Sequence, residues 1–146
     1  MIRDAAPGEV AALEALQRRA SDVWEEYREQ LAAHPDAIAL DPALVSAGRV
    51  RVFEQDGLRV GFSVLLPAHE GSCELDGLFV EPAAMRGGVG RALIADAAER
   101  ARAEGARRIS VIANPRAIEF YERVGFVAGE PAETRFGPAV WMHLEV

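Results

Sequence analysis

The stretch Met85-Arg86-Gly87-Gly88-Val89-Gly90-Arg91 has the composition of an anion-binding turn. Glycines let backbone N–H groups approach a ligand closely, the start of a helix adds partial positive charge, and Arg86 and Arg91 supply charged donors. That chemistry suits a phosphate or pyrophosphate; the same glycines also suit a plain tight turn. Just upstream, Glu74 and Asp76 alternate with Leu75 and therefore share one face of an extended segment. Paired carboxylates there can move protons or simply face solvent. A third segment, Asn114-Pro115-Arg116-Ala117-Ile118-Glu119-Phe120-Tyr121-Glu122-Arg123-Val124-Gly125-Phe126, reads as a helix. Asn114 is its N-cap and Pro115 sits in its first turn.

These residues need elements to hold them. Pro7–Ala20 reads as an amphipathic helix striped by Val10, Leu13 and Leu16, and Ser21–Ala33 as a second, with Trp24, Tyr27 and Leu31 on one side. Pro35 and Pro42 break the next segment into a loop. Gly48–Glu54 and Leu58–Leu66 flank Gln55-Asp56-Gly57 as a hairpin. Ser72–Val80 is the next strand, and its apolar phase slips: Leu75 is odd, Leu78 and Val80 even. One face cannot stay in the core through that slip without an extra residue, which predicts a β-bulge at Asp76-Gly77. A long helix from about Gly90 to Glu104 comes next, with Leu93, Ala97 and Ala101 along one side. Then come the strand Arg108–Ala113, the helix Pro115–Val124, and two last strands, Phe126 to about Glu130 and Val140–Glu145. The order is ααβββαβαββ, an α/β or α+β sheet with helices on its faces, in a single domain over residues 1–146.

Composition removes other chemistries. All 16 basic residues among the 146 are arginine. Without lysine there is no Schiff base, no lysine base and no Walker A loop. The glycine spacing is not the dinucleotide fingerprint either. A net charge of −7 argues against a nucleic-acid footprint. No apolar run is long enough for a membrane span and no signal peptide is visible. Cys73 is the only cysteine, so the chain has no internal disulfide and an intracellular setting is expected; its alternation with Glu74 predicts a buried structural thiol. His34, His69 and His143 are too far apart to suggest a metal site, and no metal is expected.

Together, the glycine turn, the Asn114–Phe126 segment and the strand Leu78-Phe79-Val80-Glu81-Pro82 resemble the GNAT (GCN5-related) N-acetyltransferase superfamily. The turn resembles the family's pyrophosphate loop, Gln/Arg-x-x-Gly-x-Gly/Ala. The later segment resembles its Asn-x-x-Ala-x-x-Phe-Tyr-x-x-x-Gly-Phe stretch. The likeness is clearest from about Ser72 to Phe126. One departure is that Met85 stands where the family has Gln or Arg, with Arg86 one residue later. The backbone cradle does not depend on that side chain.

The resemblance implies a mixed, mostly antiparallel sheet of six to seven strands, splayed between strands 4 and 5 and flanked by about four helices. It implies acetyl-CoA as acyl donor, its pantetheine paired with the backbone of Leu78, Phe79 and Val80 as an added strand would be. Its pyrophosphate would rest on Arg86, Gly87, Gly88, Val89, Gly90 and Arg91, with Asn114 near cofactor or an ordered water. A backbone N–H near Phe79 would steady the oxyanion. Tyr121 matches the family's tyrosine near the sulfur and is the candidate acid; Glu74, with Asp76 behind it, is the candidate base. Trp24 and Tyr27 are core residues or walls of the acceptor pocket. The expected function is acetylation of a primary amine on a small molecule by direct attack in a ternary complex. A non-catalytic acyl-CoA-binding module and a protein or peptide N-acetyltransferase are the alternatives. Glu25, Glu26, Glu29 and Glu133 favour a cationic acceptor. A cytoplasmic, bacterial protein is expected, and Trp141 and His143 on the last strand leave a homodimer open.

Overall fold

The computed structural model describes residues Met1–Val146. Its strands are β1 (Ile2–Asp4), β2 (Val50–Gln55), β3 (Leu58–Leu65), β4 (Ser72–Val80), β5 (Arg108–Ala113), β6 (Val127–Thr134) and β7 (Gly137–Glu145). The helices are α1 (Val10–Ser21), α2 (Glu25–Ala33), α3 (Pro42–Ser46), α4 (Val89–Ala103) and α5 (Ile118–Arg123). The strands form one seven-stranded sheet in the order β1-β2-β3-β4-β5-β7-β6. β4 and β5 run parallel, while β1–β2, β2–β3, β5–β7 and β6–β7 are antiparallel. No helix is long and apolar enough to cross a membrane.

Five helices stand where about four were expected. The extra one, α3, lies in the segment read as loop. Its signals were present: Asp41 accepts a hydrogen bond from the Ala43 N–H at 2.9 Å and Pro42 occupies the first helical position. The second expected helix starts late, at Glu25, so Trp24 lies just outside it as the N-cap residue. α5 is also shorter than expected, because residues 115–117 form a turn before it.

The chain divides into two compact units. The first comprises Met1–Val64 and Gly77–Leu93. Its core gathers Leu13 and Leu16 of α1, Val50 and Val52 of β2, Phe62 of β3 and Leu93 of α4, all essentially inaccessible. The β2–β3 turn places both Asp56 and Gly57 at positive φ, as a two-residue hairpin turn demands. At Gly61 a Cβ would meet Val89 Cγ1 at 2.8 Å and Leu93 Cδ1 at 3.2 Å. The missing side chain is therefore what lets the first turn of α4 sit directly on β3.

Glu9 anchors the same unit. Its carboxylate is buried, takes both terminal nitrogens of Arg3 at 2.8 Å, the Ala6 N–H at 2.7 Å, and Arg59 Nε. Hydrogen bonds from Arg3 hold its pKa well below the usual carboxylate range. A depressed carboxylate stabilises the fold above its unfolded pKa near 4.5 and loses that contribution as pH falls below it. Glu9→Ala is expected to lower stability by about 2–3 kcal/mol, since it strands two arginines and one amide. Thermal unfolding at pH 7 and pH 3 checks this: the gap between variant and wild type should shrink at the lower pH.

The second unit comprises Leu65–Asp76 and Ile94–Val146. Cys73, Leu75, Ala97, Ala101, Ile109, Val111, Ala113 and Met142 form its core. Ala97 and Ala101 of α4 are wholly inaccessible. α5 ends in a Schellman-type cap: Gly125 has φ 105° and the Phe126 N–H donates to the Tyr121 carbonyl at 2.9 Å. That cap explains the Gly-Phe pair that closes the Asn114–Phe126 segment. Tyr121 is then held by edge-on packing against Phe120 and Phe126, with ring centroids 5.3 and 5.2 Å apart.

Candidate active site

β4 carries the first part of the site. The Leu66 N–H donates to the Glu74 carbonyl, and the Glu81 N–H to the Val60 carbonyl. From Val60 to Leu66 is six steps; from Glu74 to Glu81 is seven. In an antiparallel pair such an offset means one extra residue on β4, the signature of a bulge. The expected bulge at Asp76-Gly77 falls inside this span. A Cβ on Gly77 would lie 3.0 Å from the Phe79 ring and 3.5 Å from Val64. Phe79 itself packs on Phe62 with ring centroids 5.2 Å apart. The slip in the apolar pattern thus reflects a real change of face along this strand.

Parallel pairing of β4 with β5 is confined to Ser72↔Arg108, Cys73↔Ile109 and Glu74↔Ser110. β4 continues six residues past Glu74, to Val80. Leu78, Phe79 and Val80 are half-buried and lie beyond the paired segment. Their outward backbone groups are of the kind an extended ligand can pair with.

The loop after β4 leads into α4. Glu81 is fixed by Arg19 of α1, a two-pronged ion pair at 2.7 and 2.8 Å. Sequence reasoning missed this pair, because nothing marks residues 62 apart as partners. A single 3₁₀ turn, Pro82–Ala84, precedes Met85. Arg86 has φ 71° and Gly88 φ 83°. The first helical hydrogen bond of α4 runs from the Ala92 N–H to the Gly88 carbonyl at 3.0 Å. The amides of Gly88, Val89, Gly90 and Arg91 therefore precede the intrahelical ladder and lie at the positive end of the helix dipole. Arg86, Gly87, Gly88 and Arg91 are exposed, and Val89 and Gly90 are buried. Met85 is exposed as well, so the absence of Gln or Arg there removes no packing.

In the second unit, Glu74 is half-buried and Asp76 exposed. Glu74 is pushed up from the ordinary carboxyl value, first by desolvation and then by the charge of Asp76. A base with a raised pKa holds a proton more firmly at neutral pH than an ordinary carboxylate does. Tyr121 is 6% exposed, and burial pushes its hydroxyl pKa up, so it remains a neutral donor. Asn114 Oδ1 accepts from the N–H groups of Arg116 and Ala117 at 2.9 and 3.1 Å. Asn114 is thus not the N-cap expected of it, because α5 begins only at Ile118 with Ala117 as N-cap; its oxygen is committed to the turn before the helix, which leaves the side-chain NH₂ as its donor toward a ligand. Cys73 is wholly buried, as its alternation with Glu74 required.

Trp24 is 36% exposed and Tyr27 half-buried, with only Leu31 of that trio in the core. The reading of Trp24 as a core residue is therefore corrected. It sits outside α2, where its carbonyl accepts from Tyr27 and Arg28 N–H groups and its ring is not carried on the buried helix stripe.

The model of the acetyltransferase (GNAT) family matches residues 10–126. The chain belongs to the GNAT acetyltransferase family. Solved GNAT structures share the fold over essentially the whole chain. A GCN5-related N-acetyltransferase from Rhodopseudomonas palustris is 23% identical with a TM-score of 0.81, covering 100% of this chain and 95% of its own. The PaiA N-acetyltransferase from Thermoplasma acidophilum, in complex with coenzyme A, is 17% identical with a TM-score of 0.81, over 100% and 98%. YncA from Salmonella typhimurium, with its cofactor acetyl-CoA, is 21% identical with a TM-score of 0.71, over 99% and 92%. No curated protein sequence matches the chain. The residues of this GNAT chain fit such a cofactor. The amides that precede the α4 ladder, beside exposed Arg86 and Arg91, suit a pyrophosphate, and the unpaired stretch of β4 suits a chain of amides.

Proposed function

We propose that the chain is a single-domain N-acetyltransferase that transfers the acetyl group of acetyl-CoA to a primary amine of a small molecule. We propose further that it works in the cytoplasm, where Cys73 stays reduced. The observation that carries this reading is the combination on one strand–loop–helix: pairing with β5 stops at Glu74, and the amides at the start of α4 precede the helical ladder. Acetyl-CoA supplies the thioester. The amides of Gly88, Val89, Gly90 and Arg91, with the guanidinium groups of Arg86 and Arg91 and the close turn at Gly87, hold the pyrophosphate. The backbone of Leu78, Phe79 and Val80 pairs with the pantetheine amides, and an N–H near Phe79 steadies the carbonyl oxygen. Asn114 contributes its NH₂ group.

The acceptor amine must be neutral to attack. Glu74, with Asp76 beside it, takes the proton from the ammonium. The amine nitrogen then forms a bond to the acetyl carbon as the carbon–sulfur bond breaks, within one ternary complex. The Tyr121 hydroxyl gives its proton to the departing sulfur, and the proton that the new amide nitrogen must lose restores the phenol.

Gly88→Val tests the cradle. Valine at φ 83° is strained, so the substitution shifts the backbone that presents the amides although a Cβ there meets no neighbour. Acetyl-CoA affinity, measured by calorimetry, is expected to fall about tenfold or more, roughly 1.4 kcal/mol. Unchanged affinity would move the pyrophosphate away from this loop.

A further inference from the structure

Strand register places a defined set of side chains on one face of the second unit. Glu74 pairs with Ser110, and Ser110 with His143, so these three stand in one lateral row. Two residues along the strands, Ile112 pairs with Trp141. That second row lies about 7 Å from the first. Ile109, Val111, Ala113 and Met142, on the opposite face, are buried core. On this face, by contrast, Ile112 is 38% exposed and Trp141 only half-buried. Asp76 shares the side of Glu74, and the parallel pairing of β4 to β5 has already ended there. The His143 ring lies over Gly129, whose Cβ would come within 3.2 Å of it, and His143 Nδ1 is buried without a hydrogen-bond partner.

We propose that this face binds the acceptor, and that the acceptor is a primary amine carried on a short link from an apolar or aromatic group. Its ammonium lies against Glu74 and Asp76. Its apolar group covers Ile112 and Trp141. Ser110 and His143 form the polar strip between. On the other side of the first row the same face carries Arg108 and Glu145, which pair with each other at 3.1 Å, whereas the row of Ile112 and Trp141 carries no charge. A linear polyamine would set a second cation on Ile112 and Trp141, which offer it no counter-charge.

This inference rests on the acetyltransferase reading, and the experiment separates the two. Calorimetry measures binding of phenylethylamine and of putrescine to the protein loaded with coenzyme A, alongside acetylation rates for both amines. The variants are Trp141→Ala and Trp141→Phe, each checked for an unchanged melting temperature. Wild type should bind phenylethylamine at least about tenfold more tightly than putrescine, an effect within reach of one buried ring. Trp141→Ala should collapse that ratio to within about threefold, and Trp141→Phe should restore most of it. Equal affinity for both amines in wild type, or an unaltered ratio in Trp141→Ala, overturns the proposal. Selective binding without acetylation of either amine would support this acceptor face and count against the enzyme reading alone.

Discussion

Tyr121→Phe is expected to lower kcat about a hundredfold while the acetyl-CoA Kd stays within about twofold, the pattern of a group that acts on the leaving sulfur and not in ground-state binding. The substitution keeps the ring contacts with Phe120 and Phe126 and removes only the hydroxyl. Burial holds that hydroxyl protonated, so it acts as a donor across the working pH range. Consequently Tyr121 contributes no alkaline limb to the pH–rate profile, in wild type or in any variant that retains it. Parallel stopped-assay kinetics and calorimetry on the two proteins check both statements. Equal losses in kcat and in affinity would give Tyr121 a structural role only.

Glu74→Gln should cost about a hundredfold or more in kcat/KM, because the acceptor ammonium is then left with the exposed Asp76 in place of the half-buried base. In wild type kcat/KM rises with pH as Glu74 loses its proton, and the rise is centred above the ordinary carboxyl value of 4.5. Desolvation is the larger cause and Asp76 the smaller. Asp76→Asn removes a negative neighbour, so the acid limb should move to lower pH, partway toward that ordinary value. Stability gives an independent check. A carboxyl whose folded pKa is raised costs stability once pH exceeds its unfolded pKa. Glu74→Gln should therefore be as stable as wild type, or more so, at pH 8 while losing activity. Thermal unfolding of the variant beside its kinetics reads both. A destabilised variant would mean that the lost activity reflects damage to β4 and not a missing base.

How much of this was legible in the sequence depended on whether the cause was local. The loop from Arg86 to Arg91 and the segment from Asn114 to Phe126 could be read directly, because glycines at special φ and an Asn that closes a turn on its own oxygen act on their immediate neighbours. The bulge was legible too, since a change of face leaves a period-two pattern out of phase. α3 was lost because five residues carry no helical periodicity, although its Asp41-Pro42 start was visible. Trp24 was misplaced because the helix expected from Ser21 begins four residues later, at Glu25, which leaves Trp24 outside its buried stripe. Gly61 and the pairs Arg59–Glu9 and Arg19–Glu81 were invisible for another reason: each joins distant parts of the chain, and single-residue types give no hint of such partners. The acceptor face falls in this last class. Ile112, Trp141 and Glu74 come together only through strand register.

The absence of lysine, which at the level of sequence only excluded mechanisms, is compatible with the site that emerges. Backbone amides and arginines suffice for phosphates, and a carboxylate with a phenol suffices for protons. None of those tasks requires a primary amine on the protein.

Acetyl transfer is tested most directly by incubating the purified chain with acetyl-CoA and a panel of primary amines. Free thiol and acetylated amine are measured together, by colorimetry and mass spectrometry. The two products are expected in equal amounts with at least one amine, and neither is expected with Glu74→Gln on the same timescale. Tight acetyl-CoA binding with no thiol released by any amine would contradict acetyl transfer and would leave a coenzyme-binding module.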